Sequence, residues 1–302
     1  MRWSVVVAAS IVGVLVWMPR LARGSDYSQP ITSDLSSEQR SERNWNNFWR
    51  HHTGTWNGRW TRYSADRSIL ETFKSTRQFE SDDGLSTIQQ TVLYKKKDGK
   101  DIEKKWTFSR KNHSGSNGFL HPASESMRGF ALDDGAAVWL KPALALDSYS
   151  PFEFFLKQGN VRHSVGIVYD KRGVLERTAS IREFRGDDQV SPWSDAIEQL
   201  DPWSIKGTWF GRRQDVNAML DYSSMRPVKW SWPDQQHQLY YLPDKIILSC
   251  PDQIEVNQPF QIDVFWVDPG GNLQVLTANY SGSDNLPVIS HLQLKQSDES
   301  VN

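Results

Sequence analysis

The sequence has very little cysteine, because Cys250 is the only one among 302 residues. An intramolecular disulfide needs two cysteines, so the chain cannot be a small scaffold held by disulfides. Neither charge dominates, since 35 basic and 36 acidic side chains leave a net charge of −1 at pH 7. A balanced chain has no overall attraction to nucleic acid or to an anionic membrane surface. These absences exclude a disulfide-rich module and argue against a general nucleic-acid-binding protein.

Metal-binding and catalytic motifs are also missing. His51 and His52 are adjacent and point in different directions, and no His-x-His or Cys-x-x-Cys pair supports them as metal ligands. The loop 114–118 lacks the lysine and the glycine spacing of a phosphate-binding loop. Three acidic pairs each adjoin a glycine, which is typical of turns rather than catalytic dyads: Asp82-Asp83, Asp133-Asp134 and Asp187-Asp188. We therefore predict no metal, no cofactor and no enzymatic activity.

The N-terminal apolar run is short for a membrane-spanning helix. It extends from Val5 to Met18, whereas a spanning helix needs about 20 residues. Ala22 and Gly24 occupy the positions that precede a signal cleavage site. Residues 1–24 are therefore expected to be a cleaved signal peptide or an uncleaved membrane anchor, and membrane association through the N-terminus is one expected outcome.

Tryptophan, by contrast, is abundant, with 14 residues. Two of them lie in a repeated pattern, Gly-Thr-Trp-x-Gly-Arg, which starts at Gly54 and again at Gly207, about half the chain further on. A repeat of domain length predicts two similar folding units, because solenoid repeats have periods of about 20–50 residues. Each copy follows a Trp-containing segment that can form a short helix, 44–52 in the first unit and 193–203 in the second.

Strand patterns dominate the remaining sequence, and helical periodicity is scarce. Asp-Gly turns separate the apolar runs, because aspartate and glycine suit the positive φ of tight hairpins. The predicted strands include 87–94, 105–108, 152–156, 161–169, 175–184, 260–266, 274–280 and 288–294. Many short antiparallel strands leave exposed edges unless the sheet closes on itself, and closure leaves room for side chains or one small ligand. The sequence thus predicts an all-β fold with two tandem antiparallel β-barrels, each preceded by a short helix.

The segment Val161–Tyr169 illustrates the strand pattern. Its odd-numbered residues are apolar apart from His163, whereas Arg162, Ser164 and Gly166 alternate with them. This period of two predicts a strand with one buried face. The predicted boundaries along the chain are a signal or anchor segment 1–24, a flexible lead-in 25–43, a first barrel 44–185, a linker 186–201, a second barrel 202–296 and a tail 297–302.

A Gly-x-Trp motif at the start of a first strand, after a short helix, resembles the signature of the lipocalin and wider calycin superfamily. There the tryptophan closes one end of the barrel and packs against an arginine or lysine of a late strand. The resemblance implies two lipocalin-like barrels, in which the matching arginine of the first unit is Arg177 or Arg182. The signature residues that it implies are Gly54, Trp56, Arg182, Gly207 and Trp209.

A closer resemblance covers most of the chain. The stretches that carry it are 44–63, 119–124, 135–139, 162–170 and 242–251. They are similar to an uncharacterised two-barrel family of cyanobacteria and plastids, distantly similar to the biogenesis factor of the chloroplast ATP synthase. That factor is a scaffold for subunits and not an enzyme. The apolar N-terminal segment departs from that pattern and by itself predicts a protein that is exported to the periplasm or thylakoid lumen, or anchored to the membrane.

Several side chains are candidates for ligand binding. His163 lies on an apolar strand face, where it can reach a ligand or serve as an ordinary core residue. Four tryptophans can line an apolar cavity or fill a core: Trp139, Trp230, Trp232 and Trp266. The lysines around the Asp98-Gly99 hairpin can dock an acidic partner or form a solvated face.

The leading functional interpretation is a non-catalytic binding protein that helps a photosynthetic, thylakoid membrane complex to assemble by holding a protein subunit. The alternative is a carrier of an apolar ligand, such as a tetrapyrrole, a carotenoid or a fatty acid, in a lipocalin-type cavity. A third is a bilin-attaching lyase, since such lyases also use a calycin barrel, but no acid–base groups for that chemistry are identified in the sequence.

Overall fold

The computed structural model describes residues 35–96, 98–186, 191–233, 237–282 and 286–296. The predicted signal or anchor segment 1–24, residues 25–34 of the lead-in and the tail 297–302 lie outside the described residues. The helices are α1 (Ser37–His52) and α2 (Arg110–His113). The strands of the first sheet are β1 (Gly54–Ser64), β2 (Ile69–Ser81), β3 (Thr87–Lys95), β4 (Ile102–Ser109), β5 (Ser114–Gly115), β6 (Gly118–His121), β7 (Ser124–Ala131), β8 (Ala137–Leu140), β9 (Ser150–Gln158), β10 (Val161–Tyr169) and β11 (Leu175–Phe184). Those of the second are β12 (Thr208–Asn217), β13 (Arg226–Ser231), β14 (Gln238–Leu242), β15 (Ile246–Cys250), β16 (Phe260–Val267), β17 (Leu273–Tyr280) and β18 (Pro287–Gln296).

The first sheet is antiparallel and curls into a nearly closed barrel. Its strand order is β4-β3-β2-β1-β11-β10-β9-β8-β7-β6-β5. Side chains bring its two ends together, because the ring of His121 on β6 lies 5.8 Å from that of Trp106 and 5.6 Å from that of Phe108, both on β4. The predicted all-β barrel fold is thereby confirmed.

The second sheet is also antiparallel, in the order β13-β12-β18-β17-β16-β15-β14. It curls as well, because Trp230 on β13 lies 6.0 Å from Phe265 on β16, several strands away in the sheet. Trp232, just beyond β13, lies 5.1 Å from the same ring. Between them these aromatic rings fill the concave side of the sheet.

Helix α1 starts earlier than the sequence pattern predicted. Residues 37–43 belong to the helix rather than to a flexible lead-in, because Ser36 and Gln39 form a capping box. The Gln39 N–H donates to Ser36 Oγ at 3.2 Å, and the Ser36 N–H donates to Gln39 Oε1 at 2.8 Å. The helix buries Trp45, Phe48 and Trp49 against the inner face of the first barrel.

The predicted second short helix is absent from the described part of the linker. Proline at positions 192 and 202 interrupts this segment, and its carbonyls are bound elsewhere. The carbonyls of residues 194–197 accept from side chains of the first barrel: Ser194 and Ala196 from Arg182, Asp195 from Arg59, and Ile197 from Tyr63. These side-chain contacts hold the segment in a non-helical course, and the prolines add to this because they have no N–H to donate.

The two units share one large hydrophobic core. Phe152 of β9 lies 6.4 Å from Phe260 and 6.2 Å from Tyr280, and the Tyr280 hydroxyl donates to the Lys141 carbonyl at 2.6 Å. The apolar face of β10 packs into this core through Val165, among others. The expectation of a single buried face was therefore incomplete, because the other face of β10 points into the first barrel.

Candidate functional site

A buried, mainly aromatic cluster that includes Trp49, Trp56 and Phe79 closes one end of the first barrel, and we call it the floor. Trp56 is fully buried. Its indole N–H donates to the His52 carbonyl at 2.9 Å. The guanidinium carbon of Arg162 lies 4.3 Å from the ring centroid, and that of Arg185 lies at the same distance of 4.3 Å. Cations over an indole face are attracted by its quadrupole, most strongly where water is excluded. The tryptophan is therefore held between two arginines, neither of which is the Arg177 or Arg182 that the calycin resemblance implied.

The arginines at Trp56 are Arg162 and Arg185, rather than Arg182. Arg182 instead donates to Asp244 of the second unit at 2.5 Å. The reason is the period of two along β11, which turns Arg182 to the outside of the barrel and Arg177 to the inside. Arg177 lines the inner cavity near its opening. The alternation in Val161–Tyr169 was the available signal, since it placed Arg162 opposite the apolar face.

The second copy of the motif shares the backbone geometry of the first. Gly54 and Gly207 have φ values of 101° and 84°, a region that suits glycine. The Trp209 indole donates to the Lys206 carbonyl at 3.1 Å. Its ring packs in an apolar cluster of the second unit that contains Ile205 and Leu292 as well as the aromatic rings of Phe265 and Trp230. Gly54 and Gly207 thus share a positive φ, but the indole of Trp56 donates to the carbonyl four residues earlier and that of Trp209 to the carbonyl three residues earlier.

A buried charge cluster lies above the floor. Glu183 is 2.7 Å from Arg162 and 3.3 Å from Arg77, and Arg77 is also 3.3 Å from Glu153. Burial acts to lower the pKa of Arg77, but Glu183 and Glu153 outweigh it and raise that pKa. Burial lowers the pKa of Arg162 although Glu183 acts against it. Each guanidinium has a carboxylate partner, which offsets part of the cost of burying its charge.

His52 connects this cluster to helix α1. Burial, and then the nearby Arg162 cation, lower the pKa of His52 well below its usual value. The neutral ring fits its partners, since Arg162 Nη1 lies 2.8 Å from Nδ1 and the Gly135 carbonyl lies 2.9 Å from Nε2. Nδ1 therefore accepts and Nε2 donates, which fixes the tautomer.

A cavity of about 310 Å³ lies above this cluster, inside the first barrel. Its walls are mainly aromatic: Trp49, Trp60, Tyr94, Trp106, Phe108, Trp139 and Phe155. Small residues make the space, because Gly166 and Ala179 lie opposite each other on β10 and β11. His121 also lines the wall, and burial lowers its pKa to about 4. The cavity thus offers flat apolar surfaces with a neutral imidazole.

Arginines stand at the open end of the cavity. Arg62 on β1 lies opposite Ala179, and Arg177 lies opposite Ser64, so the two arginines are diagonal neighbours on adjacent strands. Their side chains are 33% and 38% exposed and pair with Glu71 and Glu176, respectively. Lys96 shares Glu71 at 2.7 Å. Cations therefore outnumber carboxylates in this group, which gives the opening a local positive charge.

The predicted ligand-binding residues lie in three different places in the structure. Trp139 lines the cavity. His163 lies outside the barrel, where its Nε2 is 3.1 Å from Ser180 Oγ and its ring is 6.5 Å from that of Trp266, between the two units. Trp230 and Trp232 belong to the apolar cluster of the second unit.

Five charged residues inside the barrel were not predicted as site residues: Arg62, Arg77, Glu153, Arg162 and Glu183. Arg177 was considered only as a partner of Trp56, and it lines the cavity instead. The inward positions of these side chains follow from the alternation within each strand, once the register is known. Arg77, for example, lies two residues from Phe79 of the floor cluster on β2. Without the register, a charged residue in a strand reads as solvent-exposed.

Among the described residues, no group of three or more His, Cys, Asp or Glu side chains is placed to hold a metal ion. In the same part of the chain, no helix has both the length and the apolar character needed to cross a membrane.

Comparisons with known proteins place this fold. Residues 41–188 match the family model described as the N-terminal domain of unknown function DUF3598. A DUF3598-family protein of unknown function from Nostoc punctiforme has a crystal structure with a TM-score of 0.63 and 14% identity, covering 84% of this chain and 99% of that chain. At this identity the likeness shows a shared fold.

An S-type phycobiliprotein lyase from Guillardia theta has a TM-score of 0.35 and 10% identity, covering 51% of this chain and 99% of that chain. No curated protein matches the sequence. The segment 41–188, which contains nearly all of α1 and the whole sheet of the first barrel, is therefore the part of the chain that matches the DUF3598 family.

Proposed function

We propose that this protein is a non-catalytic carrier whose first barrel binds a small apolar molecule with a carboxylate group. The observation that carries this proposal is the aromatic cavity, which is closed below by the floor and flanked above by Arg62 and Arg177. Ligand pockets are typically apolar with a few placed polar groups that orient the ligand. The apolar part would lie along Trp60 and Trp139, and the carboxylate would meet the arginines.

The volume of the cavity limits the size of the ligand that it can hold. About 310 Å³ is near the lower end of the range for ligand pockets, which runs from about 300 to 1,000 Å³. An acyl chain fits within this space, whereas a tetrapyrrole or a carotenoid would extend out through the opening. A fatty acid is therefore the favoured member of the ligand classes considered.

The lining groups support binding rather than reaction. Glu153 pairs with Arg77 at 3.3 Å, and the low pKa of His121 makes it a weak base. Among the described lining residues, no nucleophile is hydrogen-bonded to a base. The proposed role therefore needs only shape and charge complementarity.

Filling the cavity tests the proposal. Ala179→Phe places a ring in the cavity, and we expect the affinity for a fluorescent fatty acid to fall by at least about tenfold, or about 1.4 kcal/mol. Ala123→Phe is the matched control, because Ala123 is exposed and does not line the cavity. Circular dichroism checks that both variants fold. Unchanged binding by a folded Ala179→Phe protein would refute a ligand site in this barrel.

Recognition of the ligand's carboxylate is tested separately with the double variant Arg62→Gln/Arg177→Gln. This double variant is expected to bind a fatty acid about tenfold more weakly, and the corresponding fatty alcohol with unchanged affinity. An equal loss for the acid and the alcohol would argue that the arginines shape the opening rather than recognise a carboxylate.

The role of holding a subunit of a thylakoid membrane complex remains a prediction from the family resemblance. The exported or anchored location remains a prediction from the apolar N-terminal segment. Purification from the host without detergent separates the two roles. A stoichiometric lipid or pigment, detected by mass and absorbance spectra, would support the carrier. An empty barrel with a reproducible protein subunit would support the assembly factor.

A further inference from the structure

Four cations form a continuous row across the outer face of the first barrel. Lys95 on β3 is paired in register with Lys74 on β2, and Lys74 is paired with Arg59 on β1. Arg59 is in turn opposite Arg182 on β11. Neighbouring strands are about 4.8 Å apart, so the row extends over about 14 Å. We call it the cationic row.

This arrangement is unfavourable for folding by itself. Like charges directly opposite each other on adjacent strands destabilise a sheet. The repulsion is reduced at Arg59, which forms an ion pair with Asp195 at 2.7 Å, and at Arg182, which forms one with Asp244 at 2.5 Å. Lys74 and Lys95 are exposed, and no ion pair is found for either among the described residues. The excess positive charge is therefore concentrated at the end of the row formed by Lys74 and Lys95.

The row lines a concave groove and not a flat surface. The groove has a volume of about 570 Å³, and linker residues including Trp193, Ser194 and Asp195, the carboxylate partner of Arg59, form one wall. Asn57 and Thr76 add polar side chains on the same outer face. The inner cavity opens to the other face of these strands, so the groove is a separate site.

We propose that this groove binds a small soluble anion that carries two or more phosphate or carboxylate groups. Several charges are needed because Lys95, Lys74 and Arg59 extend over about 10 Å, more than one phosphate can contact. The linker wall favours a small molecule over a flat membrane surface. This site does not depend on the proposed carrier function.

Calorimetric titration of the full chain with tripolyphosphate tests the site. We expect saturable one-to-one binding that weakens as sodium chloride rises from about 50 to about 300 mM. Lys74→Ala/Lys95→Ala is expected to lower the affinity by at least about tenfold. Lys100→Ala/Lys171→Ala removes the same net charge from exposed turns outside the groove, and its affinity should stay within about twofold of the unchanged protein.

A second measurement does not depend on the affinity. Lys95→Gln removes one like-charge contact, so the free protein should unfold at a higher temperature while its stabilisation by tripolyphosphate shrinks. Equal loss of affinity in both double variants would show only general charge attraction and would overturn the proposal. Binding to phosphatidylglycerol vesicles without binding to tripolyphosphate would also overturn it.

Discussion

The two units begin with the same six-residue motif but build different surroundings for its tryptophan. Trp56 lies between two arginines, above which the barrel keeps an aromatic cavity. Trp209 lies in an apolar cluster that includes Ile205, Leu292 and Phe265 and has no arginine among its described members. The motif therefore sets the local backbone and the indole hydrogen bond, whereas the neighbouring strands decide whether a charged floor and a cavity form.

The charge cluster gives the largest predicted effect. Glu183→Gln leaves Arg77 and Arg162 with too little negative charge in a buried site, and it should cost about 3–5 kcal/mol of unfolding free energy. In the second unit, Asp215 pairs with Arg213 and Arg226, and Arg226 is 36% exposed. Asp215→Asn should cost less, about 1–2 kcal/mol, because water can solvate Arg226. Urea denaturation measures both; a larger loss for Asp215→Asn would contradict the comparison.

Acid should destabilise the protein through histidines of the first unit. Burial lowers the pKa values of His52, His121 and His163. Since their pKa values are lower in the folded than in the unfolded state, the stabilisation is present above about pH 6.5 and is lost as pH falls below it. We expect the unfolding free energy to fall by about 3–4 kcal/mol between about pH 7 and about pH 5.5, because each of the three histidines contributes about 1.2 kcal/mol.

Urea denaturation at several pH values measures this dependence. His121→Gln cannot take up a proton there, so it should reduce the slope of stability against pH. An unfolding free energy that stays constant or rises on acidification would show that these imidazoles are not held neutral by the fold.

The smallest predicted effect compares the two tryptophans directly. Trp56→Phe and Trp209→Phe both lose an indole hydrogen bond, worth about 1 kcal/mol. Trp56→Phe also weakens the contacts with Arg162 and Arg185, so it should be about 1–2 kcal/mol more destabilising. Thermal and urea unfolding compare the variants. Equal losses would mean that the arginines add nothing to the floor beyond ordinary packing.

Sequence patterns located much of the sheet structure. The predicted strands 161–169 and 175–184 agree with β10 and β11, because alternating apolar residues and Asp-Gly turns specify strands locally. The start of α1 was also encoded, in the Ser36 and Gln39 capping box, but it was not recognised. The expected helix before the second motif does not form, because contacts from Arg59, Arg182 and Tyr63 hold the linker carbonyls.

The residues of the candidate site were harder to predict from the sequence than the strands were. Trp139 was placed in a cavity, but the other predicted ligand-binding residues lie between the units or in the second unit. The alternation along a strand says which side chains share a face, but it does not say which face becomes the interior. Arg182 shows this, since it lies one position away from the inward-facing Ile181 and Glu183.

The sequence by itself determined the strand periodicity and the positive-φ glycine that lies two residues before each motif tryptophan. These features depend on neighbours close in the chain, whose φ angles and side-chain alternation are set locally. Only the tertiary structure decided which arginines reach Trp56, where the cavity lies, and that four cations align across β3, β2, β1 and β11. Those features depend on strand register and closure, which bring together residues that are far apart in the chain.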